Sequence, residues 1–374
     1  MPLRQIQSHA ALRGIAALLV VAYHFQFDTH KLAFETATHF FARGYLAVDL
    51  FFVLSGFIIA YANRADRRAP VTWAEANSFF RARFARLYPL LIFCLAYLLL
   101  FRIAFSLAFI VAHHPVKVDW SERSLLILAS QALMLNAWIP DFGGWNIASW
   151  SISAEIVAYA LFPLLVNARI RADGLTRTAM LLVSLAFYLW IAGDTGSLDI
   201  IGGWAPARCI AGFMLGMQIY YLRDRIDALP VAWLSAFQIA GAAGVIAVLL
   251  MPGCDPLIIP AVIALVGATW SDRGLLPWLL DRRPLLFLGD ISYSVYLNHI
   301  CMMEMIDTVW IRVVTPEDPD DPLVRLAKIA IVYGAVILVS WGTFNHVERP
   351  ARQWLSRRLL GHRAAPIAAS PAAP

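Results

Sequence analysis

Apolar residues dominate this chain in long runs separated by short polar segments. Eleven runs stand out: residues 9–27, 46–61, 87–112, 125–139, 147–166, 179–192, 201–222, 231–251, 257–270, 285–305 and 326–344. Most approach the roughly 20 residues that a helix needs to cross a bilayer, where only a helix or a closed barrel satisfies its own backbone hydrogen bonds. The pattern predicts an all-α fold, a polytopic transmembrane helix bundle. The run 125–139 is the exception, because it is short, contains Gln131 and Asn136, and leads into the turn-rich "PDFGGWN". That combination predicts an interfacial or re-entrant helix on the outer side. About ten spanning helices remain.

Arginine placement orients the bundle, since short cytoplasmic loops are enriched in Lys and Arg. Arg64, Arg67, Arg68, Arg81, Arg83 and Arg86 crowd between the second run and the start of the third. Residues 167–178, 271–284 and 348–363 are also basic, whereas 315–322 ("TPEDPDDP") is acidic. With one run failing to cross, all these sides agree on both termini being cytoplasmic. The N-terminus has the shape of a signal peptide but no small-x-small site before His24, so it is expected to stay as an uncleaved first helix. The expected organisation is a transmembrane domain over 1–352, followed over 353–374 by a cytoplasmic tail, first basic and then Ala/Pro-rich and disordered.

Composition narrows the class. Of the 374 residues, 60% are hydrophobic and only 15% charged, and mean hydropathy is +0.66. These values describe an integral membrane protein and leave no room for a separate soluble domain. The net charge of +5 is accounted for by loops facing an anionic leaflet, and no nucleic-acid motif is present. Cys94, Cys209, Cys254 and Cys301 are scattered without a CxxC or metal-type spacing, so neither a disulfide framework nor a metal site is expected. Only Lys31, Lys117 and Lys328 among the 30 Lys and Arg are lysine. Arginine suits phosphate and carboxylate recognition through its planar fork, but base composition produces the same bias. Its positions therefore matter more than its abundance.

An ionisable residue inside a spanning segment costs at least about 2.5–3.5 kcal/mol and is a functional candidate by default. At about 1.5 Å per residue, the eleven steps from Arg13 to His24 cover roughly 16 Å, which puts Arg13 near the inner interface and His24 past the bilayer centre. Glu155 lies about five residues below Trp150, and Asp49 a few residues below the outer end of the second helix. The expectation is that His24, Glu155 and Asp49 share one layer. His299 reaches a similar depth, with Asn298, Ser292, Tyr293 and Tyr296 on its segment. A histidine beside a carboxylate can draw a proton from a hydroxyl. A buried polar network that only locks helices, or a proton relay in a transporter, would use the same residues. On the inner side Arg83 and Arg86, three apart, share a helix face and are placed to grip a phosphate, although the positive-inside signal alone also accounts for them.

Six motifs resemble, in order, those of the acyltransferase 3 family of integral membrane acyltransferases. They are "LRGIAALLVVAYH" (12–24), with its Arg, ten residues, His spacing; "VDLFFVLSGFIIA" (48–60); "RARFARLYPL" (81–90); "WSISAEIVAYALFPLL" (150–165); "LGDISYSVYLNH" (288–299); and "HVERPAR" (346–352). The resemblance runs from about Leu12 to Arg352. One departure is "YLNH", where the family more often has Trp just before the histidine.

The resemblance implies a ten-helix bundle in the bacterial inner membrane, moving an acyl group, commonly acetyl, from cytoplasmic acyl-CoA to a hydroxyl of a surface glycan or lipid-linked glycan precursor. It implies His24 as general base or transient acyl carrier, with Glu155 orienting or balancing it and Asp49 as a further candidate. Arg83 and Arg86 would hold the CoA phosphates, with Arg13 lining the passage below His24. His299, Tyr293 and Asn298 fall in matching motifs as supporting or substrate-contacting residues. Some relatives carry an additional extracytoplasmic domain, so the expectation here is acylation unaided or with a separate extracytoplasmic partner. Three other readings stay open: a small-molecule or lipid acceptor, a proton-coupled transporter, and a sensor that keeps the fold without catalysis.

Overall fold

The computed structural model describes residues 4–25, 38–111, 124–139, 144–171, 174–310 and 321–360. Among these every regular element is helical. The chain runs through α1 (Gln7–Phe25), α2 (Ala47–Ala62, entered by a 3₁₀ turn at Phe41–Leu46), α3 (Trp73–Val111), α4 (Leu125–Ala132) and α5 (Ser149–Arg171). It continues through α6 (Gly174–Thr195), α7 (Ala205–Asp227), α8 (Val231–Leu250), α9 (Ile258–Thr269), α10 (Leu275–Leu280) and α11 (Arg283–Asp290). The last elements are α12 (Ser292–Val309), α13 (Pro322–Thr343) and α14 (Arg349–Leu360).

Seven described helices are long and apolar enough to cross a membrane: α1, α2 with its lead-in, α3, α5, α6, α8 and the continuous α13–α14. α3, α6 and α13 turn large apolar side chains outward, among them Leu100, Leu107, Leu182, Leu189 and Leu338, as helices facing lipid must. α7 and α12 are largely enclosed by their neighbours. Enclosure lets them carry charged and polar side chains, because partners inside the bundle can satisfy these.

Several boundaries differ from those expected. α3 begins at Trp73, so Arg81, Arg83 and Arg86 lie turns inside a 39-residue helix rather than at its start. The 125–139 run forms the eight-residue α4, capped by Ser124, which at about 1.5 Å per residue is too short to cross. The run 285–305 is broken at Ile291 between α11 and α12. α13 passes through a π-helical turn at Phe344–Glu348 into α14, which contains Arg352. The acidic residues 315–320 and the Ala/Pro-rich end 364–374 lie outside the described residues.

The α2–α7 contact fixes the wall of the site. A Cβ on Gly56 would lie 2.0 Å from the carbonyl oxygen of Phe213, and one on Gly216 would lie 2.0 Å from that of Val53. The two backbones therefore touch directly, in the small-residue manner of membrane helices. On the same helix pair Arg208 reaches Asp49, donating from Nε and Nη2 at 2.9 and 2.7 Å. These contacts set the rotation of α2 and turn Ser55 into the interior.

Candidate active site

α1, α2, α3, α5 and α12 line a partly open cavity of about 110 Å³. Three guanidinium groups converge on it, from Arg13 on α1 and from Arg83 and Arg86 on α3. The Nε atoms of Arg13 and Arg83 are buried with no hydrogen-bond partner among the described residues. Arg13 donates from Nη2 to the Gly289 carbonyl at 3.4 Å, and Arg83 lies 5.6 Å from the Phe79 ring. The one carboxylate lining the cavity is Glu155. Its Oε1 accepts a short hydrogen bond from Ser55 Oγ, and Tyr159 Oη lies 3.4 Å from the same hydroxyl. Three guanidinium groups and one carboxylate line the cavity, with Asp290 and Glu348 in electrostatic reach of Arg13, and such a lining suits an anionic ligand.

Tyr293 and Tyr296 form the α12 wall. Tyr293 donates to the Leu87 carbonyl at 2.6 Å, which ties α12 to α3. Tyr296 accepts from Ser151 at 2.8 Å, which ties it to α5. The Tyr296 ring also stands 5.9 Å from that of His299, which belongs to a second polar centre. There His24 and His299 meet, with Nδ1 of the first 3.2 Å from Nε2 of the second and the ring centroids 4.9 Å apart. His24 Nδ1 is also 3.0 Å from the Val20 carbonyl oxygen.

His24, Glu155 and Asp49, expected in one layer, thus fall into three places. Arg13, Arg83, Arg86, Glu155 and Tyr293 line the cavity. His24 and His299 pair with each other. Asp49 is held by Arg208 and is not hydrogen-bonded to either histidine. Asn298 is committed elsewhere: it accepts from Tyr97 Oη at 2.8 Å, and donates to the Ser294 carbonyl and to Thr343 Oγ1, each at 2.9 Å. It therefore joins α12 to α3 and α13.

Sequence reasoning passed over Ser55, Tyr159, Arg208 and Glu348. Arg208 was discoverable, because an arginine in the middle of an apolar run demands an acid. The carboxylate of Glu348, in the "ERP" motif, accepts from Ser294 at 2.7 Å and braces α12 from the π-helical turn. Ser55 and Tyr159 gave no signal beyond being hydroxyls.

The fold and cavity define a multi-pass helical membrane protein with a charged site among its helices. A family model described as an acyltransferase domain matches residues 10–344. The chain belongs to that family, acyltransferase 3, and is an acyltransferase, which uses an acyl donor. It is 28% identical over 340 residues to "Acyltransferase MdmB" of Streptomyces mycarofaciens, covering 80% of this chain and 79% of that protein. It is 23% identical over 328 residues to "O-acetyltransferase OatA" of Staphylococcus aureus, covering 80% of this chain but 51% of that protein, so it spans about half of that relative's length. Over 116 residues it is 37% identical to "Protein 2 in picA locus" of Rhizobium radiobacter, covering 30% of this chain and 51% of that protein. No solved structure matches it.

Proposed function

We propose that the protein is an inner-membrane O-acyltransferase that takes an acyl group, acetyl in the first instance, from cytoplasmic acyl-CoA. It passes the group to a hydroxyl of a surface glycan or a lipid-linked glycan precursor. The observation that carries this is the cavity, where Arg13, Arg83 and Arg86 surround a single lining carboxylate and the buried Nε atoms of Arg13 and Arg83 have no partner among the described residues. Arg83 and Arg86 bind the donor phosphates, and Arg13 continues the cationic lining toward α12. His24, with its ring beside His299, takes the acceptor proton or carries the acyl group. Glu155 holds Ser55 and balances the arginine charge. The O-acetyltransferase name of one relative supports the acyl group and the hydroxyl acceptor.

In the topology that accompanies this function both termini are cytoplasmic. α7, α9 and α12 cross in addition to the seven apolar helices, which brings the number to ten. Residues 1–352 form the catalytic domain, followed by a cytoplasmic tail. A separate extracytoplasmic partner receives the acyl group wherever the acceptor lies beyond the membrane surface.

The test is thiol release from acetyl-CoA by purified protein in liposomes, supplied with a crude glycan extract, comparing wild type with His24→Ala. Release by the wild type alone is the expected result. Equal release by both proteins removes His24 from the chemistry. No release from either, together with undetectable acyl-CoA binding, overturns the donor assignment.

A further inference from the structure

Resting on the acyl-transfer function above, we infer that His299 is the proton partner of His24, a positioning residue that sets its tautomer and moves charge off it during transfer. A carbonyl oxygen can only accept, so the Val20 oxygen at 3.0 Å requires a hydrogen on His24 Nδ1. In the neutral ring the other nitrogen, Nε2, is then bare and basic. The same Nδ1 lies 3.2 Å from His299 Nε2. Two N–H groups cannot face each other, so His299 Nε2 is bare as well, and that ring's hydrogen sits on Nδ1. This Nδ1 is buried with no hydrogen-bond partner among the described residues. One hydrogen is therefore shared among His24, Val20 and His299, and each ring has a defined tautomer.

The chemistry follows from that arrangement. His24 Nε2 takes the proton of the acceptor hydroxyl while the hydroxyl oxygen bonds to the acyl carbon and the carbon–sulfur bond of the donor breaks. His24 Nδ1 releases its hydrogen to His299 Nε2, which leaves His24 neutral with a hydrogen on Nε2 and moves the positive charge to His299. That ring is wholly buried, so it holds the charge only for the duration of the transfer. As the thiolate departs the shift reverses, and His24 Nε2 delivers its hydrogen to sulfur. The products are the ester and the thiol, and both rings return to their starting state. Glu155, hydrogen-bonded to Ser55 in the cavity, takes no part in this exchange.

A contact that merely held α1 against α12 would predict different behaviour, and the two are separable. His299→Gln keeps a polar side chain able to accept from His24 Nδ1 but cannot become a cation. The relay predicts a kcat roughly 100-fold below wild type for this variant, with donor KM unchanged within about twofold. It also predicts that His299→Ala regains activity when imidazole is added. Independently of any substrate, ¹⁵N-histidine NMR of the wild-type protein in bilayers, with His24→Ala for assignment, should place the hydrogen of His24 on Nδ1. Wild-type kcat in His299→Gln, or a hydrogen on Nε2 of His24, overturns the inference. If wild-type protein leaves acetyl-CoA intact, the donor assignment fails, and the tautomer measurement still decides the histidine pairing.

Discussion

Asp49 and Arg208 form a two-pronged ion pair in the interior, with Nε to Oδ1 at 2.9 Å and Nη2 to Oδ2 at 2.7 Å, and both side chains essentially inaccessible. Removing one partner of such a pair leaves an uncompensated buried charge and costs about 3–5 kcal/mol. Asp49→Ala and Arg208→Ala are each expected to lower the thermal unfolding midpoint in detergent sharply. The double variant should lose much less than the sum, which is the signature of direct coupling. Additive losses would show that the pair contributes nothing jointly.

Gly56→Ala should destabilise the protein by about 1–3 kcal/mol, because an added methyl must displace the Phe213 backbone rather than a flexible side-chain end. Thermal unfolding in detergent measures this, and a substitution without effect would mean that α2 and α7 do not meet as closely as described.

Arg83→Ala and Arg86→Ala should weaken donor binding while sparing the chemical step. A hydrogen bond to a charged group contributes about 1.5–3 kcal/mol, so each loss should raise the acetyl-CoA Kd by about tenfold to a hundredfold. Calorimetry with acetyl-CoA and with dephosphorylated analogues reads this directly. Unchanged affinity in the double variant would remove the phosphate assignment.

Acid should loosen the Asp66 end of the α2–α7 pair. Asp66, in the turn after α2, is held below the usual carboxylate range: its partial burial pushes upward, but hydrogen bonds from Tyr220 and Arg223 and the Arg223 charge outweigh it. Arg223 donates to its Oδ2 at 2.7 Å. A depressed folded-state value means that the contribution is complete above the ordinary carboxylate range, near 3.9, and is lost as pH falls through the folded-state value. Asp66→Asn should therefore lower the unfolding midpoint slightly at neutral pH and flatten its decline in acid. Parallel acid limbs for variant and parent would exclude the effect.

The spanning helices were legible in the sequence because the bilayer imposes one rule, an apolar run long enough to satisfy its backbone internally. The grouping of Arg13, Arg83 and Arg86 was partly legible from the common depth that the sequence assigned to them. Partnership was not. Depth along a helix says how far a residue lies from each face but not which way it points. Asp49 and His24 thus looked like neighbours, although the rotation of α2 gives Asp49 to Arg208. The same limit hid that Glu155 lines the cavity while His24 pairs with His299. The enclosed helices α7 and α12 are the least apolar where they matter most. Arg208 and His299 sit on them, and their polarity was readable only as an anomaly until their neighbours were known.

The direct backbone contact at Gly56 and Gly216 has a mechanical consequence. Two helices joined at van der Waals distance, and pinned again by Asp49 and Arg208, have no slack to slide or tilt against each other. α2 is therefore the stator of the bundle. Clearance for a bulky donor is then expected from α3, which meets the cavity through long arginine side chains rather than through interlocked backbone.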